Sequence, residues 1–165
     1  MPVSDQGVTR DRYMLIPRVL VFIRRGSRVL LLKGAPTKRL WANKYNGIGG
    51  HVEQGEDLLV AAQRELLEET GLAADLWLCG TVIVETDENP GIAIFVFSGE
   101  SSHGEPQASA EWLPEWIPFS KTHDFPLVED LPYLLKRIQK MKRGDVPFHA
   151  RSFYLDDRLT VVFSV

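Results

Sequence analysis

Residues 50–72 read Gly-His-Val-Glu-Gln-Gly-Glu-Asp-Leu-Leu-Val-Ala-Ala-Gln-Arg-Glu-Leu-Leu-Glu-Glu-Thr-Gly-Leu, and this stretch decides how the chain is read. Its second half has helical spacing: Leu59, Ala62 and Leu66 recur on one side, and Gly71 follows as a stop. A helix over 57–70 is therefore expected, with Leu59, Ala62 and Leu66 turned to the core. Glu65, Glu68 and Glu69 stand at i, i+3 and i+4, neighbours on the helix surface. Three like charges there repel unless a cation shares the space. Mg²⁺ or Mn²⁺ suits them, because hard cations take carboxylate oxygens and keep several waters. Arg64 is placed to pair with Glu56 or with one of the glutamates and fix its rotamer. A solvated helix with surface glutamates is the alternative reading of the same charges.

The spacing runs further than the helix. It is glycine, five residues, glutamate, seven residues, then Arg-Glu-apolar-any-Glu-Glu-any-Gly-apolar. This resembles the Nudix box without a departure. The Nudix hydrolases cleave nucleoside diphosphates linked to another moiety. The resemblance implies an α/β/α sandwich with a mixed β-sheet, in which the box forms a loop-helix-loop. It implies metal ligation by Glu65, Glu68 and Glu69 with the Gly50 carbonyl as a further ligand, and structural roles for Glu56, Arg64 and Gly71. Outside the box the match is softer. Tyr45–Gly50, Trp116–Phe119 and the closing stretch Phe148–Val165 look like the MutT-type subgroup that sanitises oxidised purine nucleotides such as 8-oxo-dGTP. In that subgroup an asparagine at the place of Asn46 contacts the base, and a paired acid near Glu129 and Asp130 binds the purine. Asn46 read by itself equally fits a cap for the Gly47 turn, and Glu129 with Asp130 equally fits charge complementing a helix N-terminus.

The implied reaction is attack of water on a nucleoside triphosphate, releasing monophosphate and pyrophosphate. Metal ions would neutralise the phosphate oxygens and lower the pKa of a bound water. Glu65 and Glu68 are both open as the base, with Glu65 favoured, and Arg64 belongs to the same catalytic group. A further acidic ligand is expected from a later loop, where Glu105 is the candidate and Glu111 is nearby. Lys33, ending a strand, is the favoured phosphate contact over Lys38 and Arg39. Trp41, Phe97 and Phe125 are read as core residues before base-stacking ones. The box leaves other substrates open: ADP-ribose, a nucleotide sugar or a dinucleoside polyphosphate. A non-catalytic nucleotide sensor fits less well, since no box glutamate is missing.

The rest of the sequence sets bounds. At 165 residues, with 44% hydrophobic and 25% charged, one domain spanning 1–165 is expected, with a flexible segment over 1–12. A formal charge of −3 argues against a nucleic-acid polymer as partner, yet permits a free nucleotide whose metal brings positive charge. The lone cysteine, Cys79, reads as core filler in a reducing compartment. No apolar run is long enough for a membrane span, and a cytoplasmic monomer or homodimer is expected. Strands are expected at 13–23, 28–32, 76–85, 92–98, 112–117, 148–154 and 159–165. Residues 46–50 read as a glycine-dense bend leading to an extended stretch at 51–53, and 127–141 as a second helix kinked or started near Pro132.

Overall fold

A computed structural model describes residues 2–9 and 11–164. Strand β1 (Leu15–Arg25) turns at Gly26, whose φ is 58°, into β2 (Arg28–Gly34). Two short strands follow, β3 (Tyr45–Asn46) and β4 (Ile48–His51), then helix α1 (Leu58–Thr70). A hairpin of β5 (Trp77–Val84) and β6 (Gly91–Glu100) leads to β7 (Trp112–Pro118) and α2 (Leu131–Ile138). The closing hairpin is β8 (Phe148–Leu155) and β9 (Arg158–Phe163). The strands form one mixed sheet in the order β3-β2-β1-β6-β5-β8-β9, with β4 added on β1 and β7 on β2. The pairs β1–β6 and β5–β8 are parallel, and the others are antiparallel.

Strand alternation makes two cores. On β1, Val19, Val21 and Ile23 pack with Ala61, Ala62 and Leu66 of α1. Leu20 and Phe22 point the other way, toward Leu131, Leu134 and Leu135 of α2. The sheet is thus covered by one helix on each face, the layered α/β arrangement expected from the sequence. Cys79 is fully buried, and burial pushes its thiol up to about 12.

Three expectations are corrected. Leu59 is exposed, and the buried stripe of α1 runs through Ala61, Ala62, Leu66 and Thr70, because the helix is rotated toward its alanines. Residues 46–50 are strand edges rather than a bend. Gly49 sits opposite Leu20, and a Cβ there would lie 2.2 Å from the Val19 carbonyl oxygen, so only glycine lets β4 come so close to β1. The second helix starts at Leu131. Residues 126–128 are extended, with the Tyr45 N–H donating to the Pro126 carbonyl and the Val128 N–H to the Tyr45 carbonyl. Pro132 then stands in the first turn of α2. Of the segment 1–12, Val3–Gln6 is a short 3₁₀ turn, and Met1 and Arg10 lie outside the described residues, as does Val165 at the end of the closing hairpin. Among the described residues no helix is long and apolar enough to cross a membrane.

Candidate active site

Helix α1 is clamped at both ends. Asp57 caps its start by accepting from the Val60 N–H at 2.9 Å. Gly71 ends it in the left-handed region, φ 71°, its N–H donating to the Leu67 carbonyl. Arg64 then ties the helix to the loop before it. Its Nε and Nη2 donate to the two carboxylate oxygens of Glu56 at 2.6 and 3.0 Å, and Nη2 also donates to the His51 carbonyl. This fork pulls the Glu56 carboxyl down to about 2. The remaining nitrogen, Nη1, donates to Glu65 at 2.8 Å and to Glu68 at 3.2 Å.

The three glutamates differ in setting. Glu65 is well covered, and a Cβ on Gly50 would meet its carboxylate at 2.2 Å, so the missing side chain at Gly50 makes its room. Glu68 is largely exposed. Glu69 is half-buried and accepts from the Gly49 N–H at 3.0 Å. Burial pushes its carboxyl up to about 7, the Gly49 hydrogen bond works against this, and the charge of Glu65 adds to it. Among the described residues no three acidic, histidine or cysteine side chains are gathered round one point. Glu65 and Glu68 flank the Arg64 guanidinium, and Glu69 turns to Gly49.

A cavity of about 650 Å³ opens beside this flank. From the box region it is lined by Glu69, Gly49, Gly50 and His51, and from the loop after β2 and the start of β7 by Lys38, Trp41, Lys44, Glu111 and Trp112. Asn46, Glu129 and Asp130, the sheet residues Ile92, Ile94 and Val84, and Arg18 and Tyr154 also line it. Box and base-side residues, distant in sequence, therefore share one space.

The candidates divide as follows. Asn46 lines the cavity while its Oδ1 accepts from the Gly47 N–H at 2.8 Å, so it also caps the turn. Glu129 and Asp130 both line it. Glu129 accepts from the Tyr154 hydroxyl at 2.7 Å, and burial raises the Asp130 carboxyl, with Glu129 adding to the effect. Asp130 stands at the N-terminal end of α2 without a side-chain cap hydrogen bond, so its charge can face the helix dipole as well as the cavity. Lys33 is placed elsewhere: it lies over the Tyr45 ring at 5.8 Å and is not among the cavity's lining residues. Glu105 also stands apart, paired with Arg25 at 3.2 Å. The acid of that region that lines the cavity is Glu111, held by the Lys38 ammonium at 2.7 Å, which lowers its carboxyl. Phe97 is core, Phe125 packs edge-on to Tyr45, and Trp41 faces the cavity.

Residues 14–138 match the NUDIX domain family, about three quarters of the chain. The chain belongs to the Nudix hydrolase family. This hydrolase is 38% identical over 108 residues to an oxidized purine nucleoside triphosphate hydrolase of Mus musculus, covering 61% of this chain and 68% of the relative. It is 39% identical over 109 residues to the protein of the same name in Danio rerio, covering 62% and 69%. Among solved structures, the MutT protein of Bacillus halodurans superposes with a TM-score of 0.74 at 21% identity, over 90% of this chain and 97% of that one, a likeness of fold.

Arg18, Lys44, Trp112 and Tyr154 also line the cavity and had no place in the sequence reading. Arg18 carried one usable signal. It breaks an apolar strand at a position with the same parity as Leu20 and Phe22, where a core residue is due.

Proposed function

We propose that the enzyme hydrolyses a purine nucleoside triphosphate to monophosphate and pyrophosphate with Mg²⁺ or Mn²⁺, oxidised purines such as 8-oxo-dGTP being the preferred class. One observation carries this reading: Glu69 of α1, with Gly49 and Gly50 beside it, lines the same cavity as the acid pair Glu129 and Asp130. The relatives named above give the substrate class its direction.

The donor set fits a hard divalent cation, because it is all oxygen: Glu65, Glu68, Glu69, the Gly50 carbonyl, and Glu111 in place of Glu105. The Glu69 carboxyl is raised first by its burial and then by the neighbouring charge of Glu65, a repulsion that a bound cation would relieve. When bound, the cation neutralises phosphate oxygens and makes water more acidic. Glu65 serves as the base. One of its oxygens accepts from Arg64, which leaves the other to take the proton of the attacking water. The water oxygen bonds to phosphorus, the bridging P–O bond breaks, and pyrophosphate leaves. Lys44, lining the cavity, meets phosphate charge. Asn46 keeps its amide NH₂ to donate to the base, Glu129 accepts, and Trp41 offers a ring face.

The test is a hydrolysis screen over normal and oxidised nucleoside triphosphates, nucleotide sugars and ADP-ribose, with each metal and with chelator. Metal-dependent release of pyrophosphate from an oxidised purine substrate is expected, and Glu65→Gln should lower kcat by about 10²–10⁴-fold. A clear preference for ADP-ribose would overturn the substrate class. Undiminished turnover in chelator would overturn the metal reading.

A further inference from the structure

We propose that Arg18 is a specificity-determining residue, donating to an oxygen acceptor on the edge of an oxo-purine base held in the cavity. The inference deepens the function proposed above and rests on it.

The register of β1 fixes where Arg18 stands. It pairs with His51 on β4 and Ile94 on β6, and shares its side of the strand with Leu20. It lines the cavity, and its buried Nε has no hydrogen-bond partner. A buried donor without a partner is costly, and an acceptor in the cavity that the side chain turns to meet would remove that cost. The neighbouring polar groups are already engaged: Lys38 with Glu111, and Glu129 with the Tyr154 hydroxyl. Among the described residues no ion pair joins Arg18 to Glu129 or Asp130, although all three line the same space.

Guanidinium is a donor only, so its partner must be an acceptor. Carboxylates accept, so the acid pair asks for donors. A guanine-type base offers both: N–H groups on one edge for Glu129 and Asp130, and an oxo oxygen for Arg18. Adenine carries an amino donor where guanine carries the oxo group. The surroundings of Arg18 favour a base over a phosphate. Ile94, its cross-strand partner, with Ile92 and Val84 makes an apolar wall suited to a ring face beside Arg18.

The test uses three monophosphates, dGMP, 8-oxo-dGMP and dAMP, titrated without metal into wild type, Arg18→Met and Arg18→Lys by calorimetry. The probes share sugar and phosphate and differ in the base. Wild type should bind at least one oxo-purine about tenfold or more tightly than dAMP. Arg18→Met should shrink that gap to about twofold while leaving dAMP affinity unchanged, and Arg18→Lys, which keeps charge but loses the fork, should fall between. Equal weakening of all three probes would overturn the proposal in favour of a sugar or phosphate contact. No weakening, or no base preference in wild type, would overturn it outright. Thermal melting checks folding, and if Arg18→Met fails to fold, the base preference of Arg18→Lys decides. Magnesium-dependent turnover of wild type is read separately. A base preference without turnover sinks the hydrolase reading, and turnover with a preference indifferent to Arg18 sinks this one.

Discussion

The box and the base wall are built on opposite terms. At the box end, charge is closed on itself: one guanidinium, Arg64, donates to Glu56, Glu65, Glu68 and the His51 carbonyl. At the base end, groups stand open. Arg18 has an unpartnered nitrogen, and Asp130 is half-buried with a raised carboxyl and no side-chain cap hydrogen bond. The closed end holds geometry before any ligand arrives, as a reaction centre needs. The open end leaves hydrogen bonds to be completed, as a recognition surface needs.

Two adjacent glycines break this comparison most sharply. At Gly50 an added methyl strikes the Glu65 carboxylate, the far end of a flexible side chain. At Gly49 it strikes the Val19 backbone, which cannot yield. Gly50→Ala should therefore keep the melting temperature close to wild type and lower kcat about 10²-fold, by misplacing the base. Gly49→Ala should chiefly lower the melting temperature. Parallel melting and steady-state curves of the two variants check this, and loss of stability in both alike would contradict it.

A smaller effect separates the two loop acids. Glu111→Gln should weaken activation by Mg²⁺ about tenfold or more, measured as the metal concentration for half-maximal rate. Glu105→Gln, which removes only the exposed pair with Arg25, should shift it less than about twofold. The reverse order would restore Glu105 as the ligand.

The smallest effect belongs to the base end. Asp130 titrates higher in the folded chain than its ordinary 3.8, chiefly because it is buried. Well below its ordinary 3.8 the carboxyl is neutral in both the folded and the unfolded chain, and nothing is lost. As pH rises from there the unfolded chain ionises first, so stability falls until the folded carboxyl ionises too. Asp130→Asn should thus raise the melting temperature by about 2 °C at pH 8 and less at pH 4. A gain confined to low pH would contradict the burial of this carboxyl.

The two ends were also unequally legible in the sequence. The box lies within one run of residues, and helix periodicity places Glu65, Glu68 and Glu69 together without knowledge of the rest. Its core-facing side was misjudged at Leu59, because which apolar stripe is buried depends on the sheet it meets. The base wall draws on β1, β5, β6, β8 and the segment before α2, so strand register alone brings Arg18, Val84, Ile94 and Tyr154 together. Lys33 was misplaced for the same reason. Parity along β2 turns it to Tyr45, and the loop lysines Lys38 and Lys44 line the cavity. Of the expected helix over 127–141, the start near Pro132 is the alternative that holds, because the Val128 N–H goes to the Tyr45 carbonyl and leaves 127–130 outside α2.

The central claim is that the carboxylates of α1 hold a divalent cation against the phosphates. Titrating Mn²⁺ into the protein and following free Mn²⁺ by electron paramagnetic resonance tests it directly. Wild type should deplete the free signal, and Glu69→Gln and Glu65→Gln should each leave most of it in solution at the same protein concentration. Equal depletion by wild type and both variants would contradict the account.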